Sequence, residues 1–225
     1  MSKFNYIVFF DAENSIFNFK VKYSFLEYFL LETLPQENYA RRCYKKFVHK
    51  NSEYEKNGVS EFILNREYFK NFSGMPEKLM QEIGHSWYVK YKLELNDIFF
   101  NQKTIFEIGM HKKNNAQIVL LSKIFKPCLD PLIEELSAHV AICPELEIIN
   151  GYYTGNLISD PINSEGKSRA IKDFLAKQKL AKNEIRFKSD NIESEQLLFC
   201  DISYEYKEEI NNFFSSTRFK NLYKN

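Results

Sequence analysis

No Cys-x-x-Cys spacing occurs in this chain. Its four cysteines, Cys43, Cys128, Cys143 and Cys200, are scattered. That pattern gives neither a zinc site nor a disulfide framework, and a reduced, cytoplasmic setting is expected. The four histidines, His49, His85, His111 and His139, share no ligand spacing and read as structural or surface residues. No apolar run approaches the roughly 20 residues of a membrane span. The apolar stretch behind Lys3 is too short for a signal peptide and is broken by Asp11. No charge dominates: 31 basic residues against 30 acidic ones leave a net charge of +1. The clustered basic excess of a nucleic-acid footprint is missing. Neither nucleic acid nor membrane is expected as a partner.

What is present is an ordinary globular balance, 44% hydrophobic and 27% charged over 225 residues. That length suits one substantial domain, or a domain with an insertion. The stretch Tyr6-Ile7-Val8-Phe9-Phe10 is unbroken in its apolar character and stops on Asp11. A short run of aromatic and β-branched residues predicts a strand buried on both faces, hence a parallel sheet between helices. Ligands of such sheets bind at the carboxyl ends of the strands. That places Asp11, with Glu13 on the loop beside it, where this architecture does chemistry.

Residues 16 to about 113 read as mostly helical. Phe25, Phe29 and Leu30 recur at helical spacing and Pro35 stops that helix. Asn57-Gly58 is a turn. A helix covers Glu61 to Phe72, and Pro76 opens a long one through Leu79, Ile83, Trp87 and Tyr91. Another covers about Gln102 to Lys112. Arg41-Arg42 and Lys45-Lys46 read as a solvated face, and Trp87 with its tyrosines as core. From Ala116 the pattern changes. Ile118-Val119-Leu120-Leu121 is a second buried strand, ending on Ser122. A helix follows near Pro127, then a third strand at Val140-Ala141-Ile142. Leu146 to Ile149, Asn150-Gly151 and Tyr152 to Thr154 spell a β-hairpin, because Asn-Gly supplies two positive-φ positions. A helix starts near Gly166-Lys167, and Ile185-Arg186-Phe187 is a strand ending on Ser189-Asp190.

The alternation predicts an α/β fold, Rossmann-like and doubly wound, with a mostly parallel sheet. The helical residues 16–113 are expected to form a cap domain inserted after the first strand. Residues 1–15 and 114–225 are expected to form the core. Taken singly, Ser122 is a strand-terminal cap, Lys167 a solvated helix residue and Asp190 a turn residue. Their order along the chain makes them a candidate constellation.

That constellation resembles the haloacid dehalogenase-like superfamily, in its phosphoserine phosphatase-like branch. Asp11-Ala12-Glu13-Asn14-Ser15 is similar to the first motif, Asp-x-Asp-x-Thr, with Glu13 in place of the second Asp. Ile118 to Ser122 matches the second, and Gly166-Lys167 the third. Ser189-Asp190-Asn191-Ile192-Glu193-Ser194 resembles the fourth, Gly-Asp-Ser-x-x-Asp, with Ser189 and Ser194 departing from it. The run from Pro127 to Gly155 resembles the segment that follows the second motif in this branch.

The resemblance implies a Mg²⁺-dependent phosphatase of a small phosphorylated metabolite. Asp11 would form an aspartyl-phosphate, with Glu13 as acid and base. Ser122 and Lys167 would hold phosphate oxygens, the lysine as a point charge. Asp11, the Glu13 backbone carbonyl and Asp190 would hold the metal. The departures leave two alternatives open: a binding or scaffolding protein on the same fold, or phosphoryl or acyl transfer in a biosynthetic pathway.

Overall fold

The computed structural model describes residues 4–159, 169–171, 173, 174, 177 and 185–188. Four parallel strands form the central sheet in the order β3-β2-β1-β6. They are β1 (Tyr6–Asp11), β2 (Ala116–Leu121), β3 (Val140–Ile142) and β6 (Ile185–Lys188). The register pairs Tyr6 with Ala116 and Asp11 with Leu121, so β1 and β2 end level with each other. Both faces of β1 are covered, as its apolar run requires. Val8 and Phe10 enter the larger core with Ile118 and Leu120. Ile7 and Phe9 pack on the other side with Val119, Leu121 and Ile171. Each such side chain contributes roughly 1.5–3 kcal/mol of transfer free energy. The strand that carries Asp11 is therefore held firmly from above and below.

Between β1 and β2 run five helices: α1 (Val21–Thr33), α2 (Glu37–Lys56), α3 (Glu61–Phe69), α4 (Glu77–Leu95) and α5 (Gln102–Lys113). Leu34 leaves α1 in an extended conformation because Pro35 follows it. The Asn101 side chain caps α5 through the Lys103 and Thr104 N–H groups. Pro76 stands at the N-cap of α4, one residue before the helical position that the sequence pattern suggests. The first helical N–H is that of Glu77, and it donates to the Gly151 carbonyl at 2.9 Å. A single 3-10 turn, Lys70–Phe72, extends α3.

The helical block and the sheet share one core. Phe125, just after β2, stacks on Phe72 at 5.0 Å and meets Phe25 and Phe69 edge-on. The next helix, α6 (Lys126–Leu136), crosses α4 closely. A Cβ on Gly84 would lie 2.1 Å from the Pro127 carbonyl oxygen. Only glycine permits that approach. The predicted hairpin is β4 (Leu146–Ile149) and β5 (Tyr152–Leu157), with Asn150 and Gly151 both at positive φ. It leans on the α3–α4 connection: Gly74 N–H donates to the Tyr153 carbonyl, and Tyr153 N–H to the Met75 carbonyl.

Candidate active site

Asp11 is the last residue of β1 and is 1% exposed. Behind it the chain makes one turn of π-helix, residues 12–16, closed by the Phe17 N–H on the Ala12 carbonyl at 2.9 Å. The sequence pattern suggests a plain loop there. The wide turn forms because Ala12, Ile16 and Phe17 are all pulled into the core. Asn101 N–H donates to the Ile16 carbonyl at 2.8 Å, and the Phe17 ring packs edge-on against Phe99. The turn is thus pinned from both ends, and it aims Glu13 across the strand ends toward β2.

Ser122 follows β2 directly and is fully buried. Its hydroxyl donates to Oε1 of Glu13. The same oxygen accepts the Lys123 N–H at 3.1 Å and the Ile124 N–H at 3.3 Å. Ile124 N–H also reaches the Ser122 Oγ, at 3.1 Å. Three donors from successive residues therefore converge on one point. Such an array is an anion site built from backbone and hydroxyl dipoles. Phe125, the next residue, fixes the array to the aromatic core.

Over this site stands a cluster that no sequence motif signals. Lys22 of α1 donates to Oδ1 of Asn65 at 3.0 Å, and its ammonium lies 4.8 Å from the centre of the Tyr68 ring. Burial pulls its pKa down to about 8, against the smaller opposing pull of Glu61. The Tyr68 hydroxyl is buried and has no hydrogen-bond partner among the described residues. Burial raises its pKa, and the nearby Glu13 carboxyl adds to the rise. Lys123 turns its side chain to Glu61, 2.6 Å away. No single residue here has a local signature, because the cluster joins α1, α3 and the loop after β2.

The structure brings Asp11, Glu13 and Ser122 together. Lys167 and Asp190 lie outside the described residues, as do Ser189 and Ser194. β6 runs parallel to β1, with Lys188 level with Phe10, so this strand leads toward the same edge. Among the described residues no three His, Cys, Asp or Glu side chains cluster as a metal site. The donors that the motifs suggest are all oxygens, two of them carboxylates, and that set suits Mg²⁺. Cys128 and Cys143 offer no competing nucleophile. Burial pushes Cys128 well up and Cys143 to about 12, so neither thiolate forms near neutrality. His139 accepts the Ile118 N–H at 3.0 Å, and Tyr6 bonds His111, both structural tasks.

A family model described as haloacid dehalogenase-like hydrolase matches residues 8–192. The chain belongs to the haloacid dehalogenase-like hydrolases. Solved structures agree on the hydrolase fold. A Bordetella pertussis Tohama I protein of unknown function superposes with a TM-score of 0.69 at 15% identity, over 92% of this chain and 95% of that one. A substrate-bound phosphoserine phosphatase complex gives 0.55 at 13% identity, over 95% and 99%. A phospho-aspartyl intermediate analogue of phosphoserine phosphatase gives 0.53 at 13%, over 82% and 78%. Identities this low establish the fold. A search of curated proteins returns no match. Among the described residues no helix is long and apolar enough to cross a membrane.

Proposed function

We propose that the chain is a phosphatase of small phosphorylated metabolites that works through an aspartyl-phosphate on Asp11. One observation carries this reading. A buried carboxylate at the end of β1 stands beside a three-donor anion site at the end of β2, on strands that finish in register. Phosphoryl transfer needs a nucleophile in line and donors around the moving charge, and little else from the protein.

In the first step Asp11 attacks phosphorus and the ester oxygen leaves, taking a proton from Glu13. In the second, water attacks phosphorus, Glu13 takes its proton, and phosphate departs from Asp11. Ser122, the Lys123 and Ile124 N–H groups and Lys167 hold the phosphate oxygens. Asp11, the Glu13 backbone carbonyl and Asp190 would hold Mg²⁺, which neutralises charge on the transferring group. Residues 16–113 act as a cap over the core of 1–15 and 114–225. Lys22 and Tyr68, presented by that block, favour a substrate whose leaving group carries an anion of its own. The structural neighbour described as a phospho-aspartyl intermediate analogue supports the covalent step by likeness of fold.

A second reading has its own support. The Glu13 carboxylate fills the anion site, which suits a protein that keeps the pocket for binding alone. Hydrolysis of nitrophenyl phosphate, with and without Mg²⁺, separates the two. Turnover in the wild type that is lost in Asp11→Asn supports the enzyme. Absence of turnover in the wild type under both conditions supports the binding protein.

A further inference from the structure

The anion site at the end of β2 already holds an anion, and it comes from the chain itself. We propose that Glu13 is the resident ligand of this cradle, a built-in competitor that a tetrahedral oxyanion must displace. The inference rests on the phosphatase reading for the identity of that oxyanion, which is phosphate.

The geometry makes occupancy exclusive. Oε1 of Glu13 uses the Ser122 O–H, the Lys123 N–H and the Ile124 N–H together. The Ser122 hydroxyl and the Lys123 N–H each have a single proton to donate, and the Ile124 N–H already divides its own between Glu13 and the Ser122 Oγ. An unprotonated phosphate oxygen and an ionised carboxylate oxygen are both acceptors, so neither can donate to the other. Placed on the same three donors they also repel as like charges. One must leave when the other enters.

The length of glutamate makes the contact possible. Aspartate at this position would fall short by roughly one carbon–carbon bond, about 1.5 Å. From the same backbone it would lose the Lys123 and Ile124 N–H groups. The backbone itself is held at both ends. The π-turn is closed by Phe17 on Ala12 and tied to Asn101, and the cradle is fixed by Phe125 on Phe72. Displacement is therefore a rotation of the Glu13 side chain alone. That rotation takes Glu13 off its three donors, so the freed carboxylate can take up a proton from solvent and pass it to the leaving ester oxygen. The substitution thus couples proton transfer to substrate entry.

Charge-assisted hydrogen bonds of this kind contribute enough to change affinity roughly tenfold to a hundredfold. The test titrates inorganic phosphate into the full-length chain by calorimetry, in the wild type, Glu13→Gln and Glu13→Asp, with and without Mg²⁺. Nitrogen-15 spectra of the Lys123 and Ile124 amides accompany each titration. Both variants are expected to bind phosphate about 10–100-fold more tightly than the wild type, and both are expected to shift the two amides before any ligand is added. Tightening in Glu13→Gln with Glu13→Asp left at the wild-type value overturns the proposal, because loss of charge alone then explains the effect. Equal affinity in all three overturns it as well. Wild-type protein labelled at the glutamate Cδ gives a reading free of folding defects. Phosphate is expected to move the Glu13 resonance, and an unmoved resonance at saturation overturns the proposal. Phosphate binding that tightens in both variants without hydrolysis by any of them upholds the resident ligand and defeats the phosphatase reading. No phosphate binding by any form defeats both.

Discussion

Lys22 and Tyr68 face each other across the top of the site, the ammonium 4.8 Å from the ring centre. Their contact unites a cation that burial has made uncomfortable with a hydroxyl that has no partner among the described residues. Groups kept in such positions cost stability, and function is the usual reason they persist.

Lys22→Met is expected to stabilise the protein at pH 7 by about 1–3 kcal/mol. The folded pKa, about 8, lies below the ordinary 10.5. Between those values the unfolded chain binds more protons, so wild-type stability rises with pH there. The penalty is complete below pH 8 and gone above 10.5. Urea melts at pH 7 and pH 10 check this, and the gain from Lys22→Met should shrink at the higher pH. The same variant should raise KM for phosphate esters with a carboxylate on the leaving group. It should leave KM for neutral esters nearly unchanged.

Gly84→Ala is expected to cost about 1–3 kcal/mol or more, as overpacking does. The added methyl would lie 2.1 Å from the Pro127 backbone oxygen, and neither atom belongs to a flexible side chain. α6 starts one residue after Phe125, so pushing it away should also disturb the cradle. A thermal melt combined with phosphate titration reads both effects.

How far the sequence reveals this arrangement depends on the range of the contacts. β1, β2 and the Asn150-Gly151 hairpin are written in consecutive residues, and the structure has them where the pattern puts them. The π-turn is not written so, because its width depends on Phe99, Phe100 and Asn101 arriving from far along the chain. Gly84 looks like an ordinary helix residue until α6 crosses it. Lys22 meets Asn65 at a separation of 43 positions, and Glu13 meets Ser122 at 109. The sequence shows that Glu13 departs from the motif. Only the fold shows what the extra methylene reaches.

Glu13→Gln is expected to slow hydrolysis of an alkyl phosphate by roughly 10²–10⁴-fold, the range for a positioned acid–base group. The loss should be much smaller for nitrophenyl phosphate, whose leaving group needs little protonation. Steady-state kinetics on both esters check the ratio. Equal losses on the two would remove Glu13 from proton transfer.

Mg²⁺ is expected to raise the melting temperature of the wild type by mass action, and to do so far less in Asp190→Asn. A thermal melt across a Mg²⁺ titration checks it. An equal rise in both proteins would take Asp190 out of the metal site.

The covalent step on Asp11 is tested most directly by acid quench during turnover, followed by intact-protein and peptide mass measurement. One phosphoryl group is expected on the peptide that contains Asp11, released by mild base and absent from Asp11→Asn. Steady hydrolysis with no phosphoryl group on that peptide, or undiminished hydrolysis by Asp11→Asn, would contradict it.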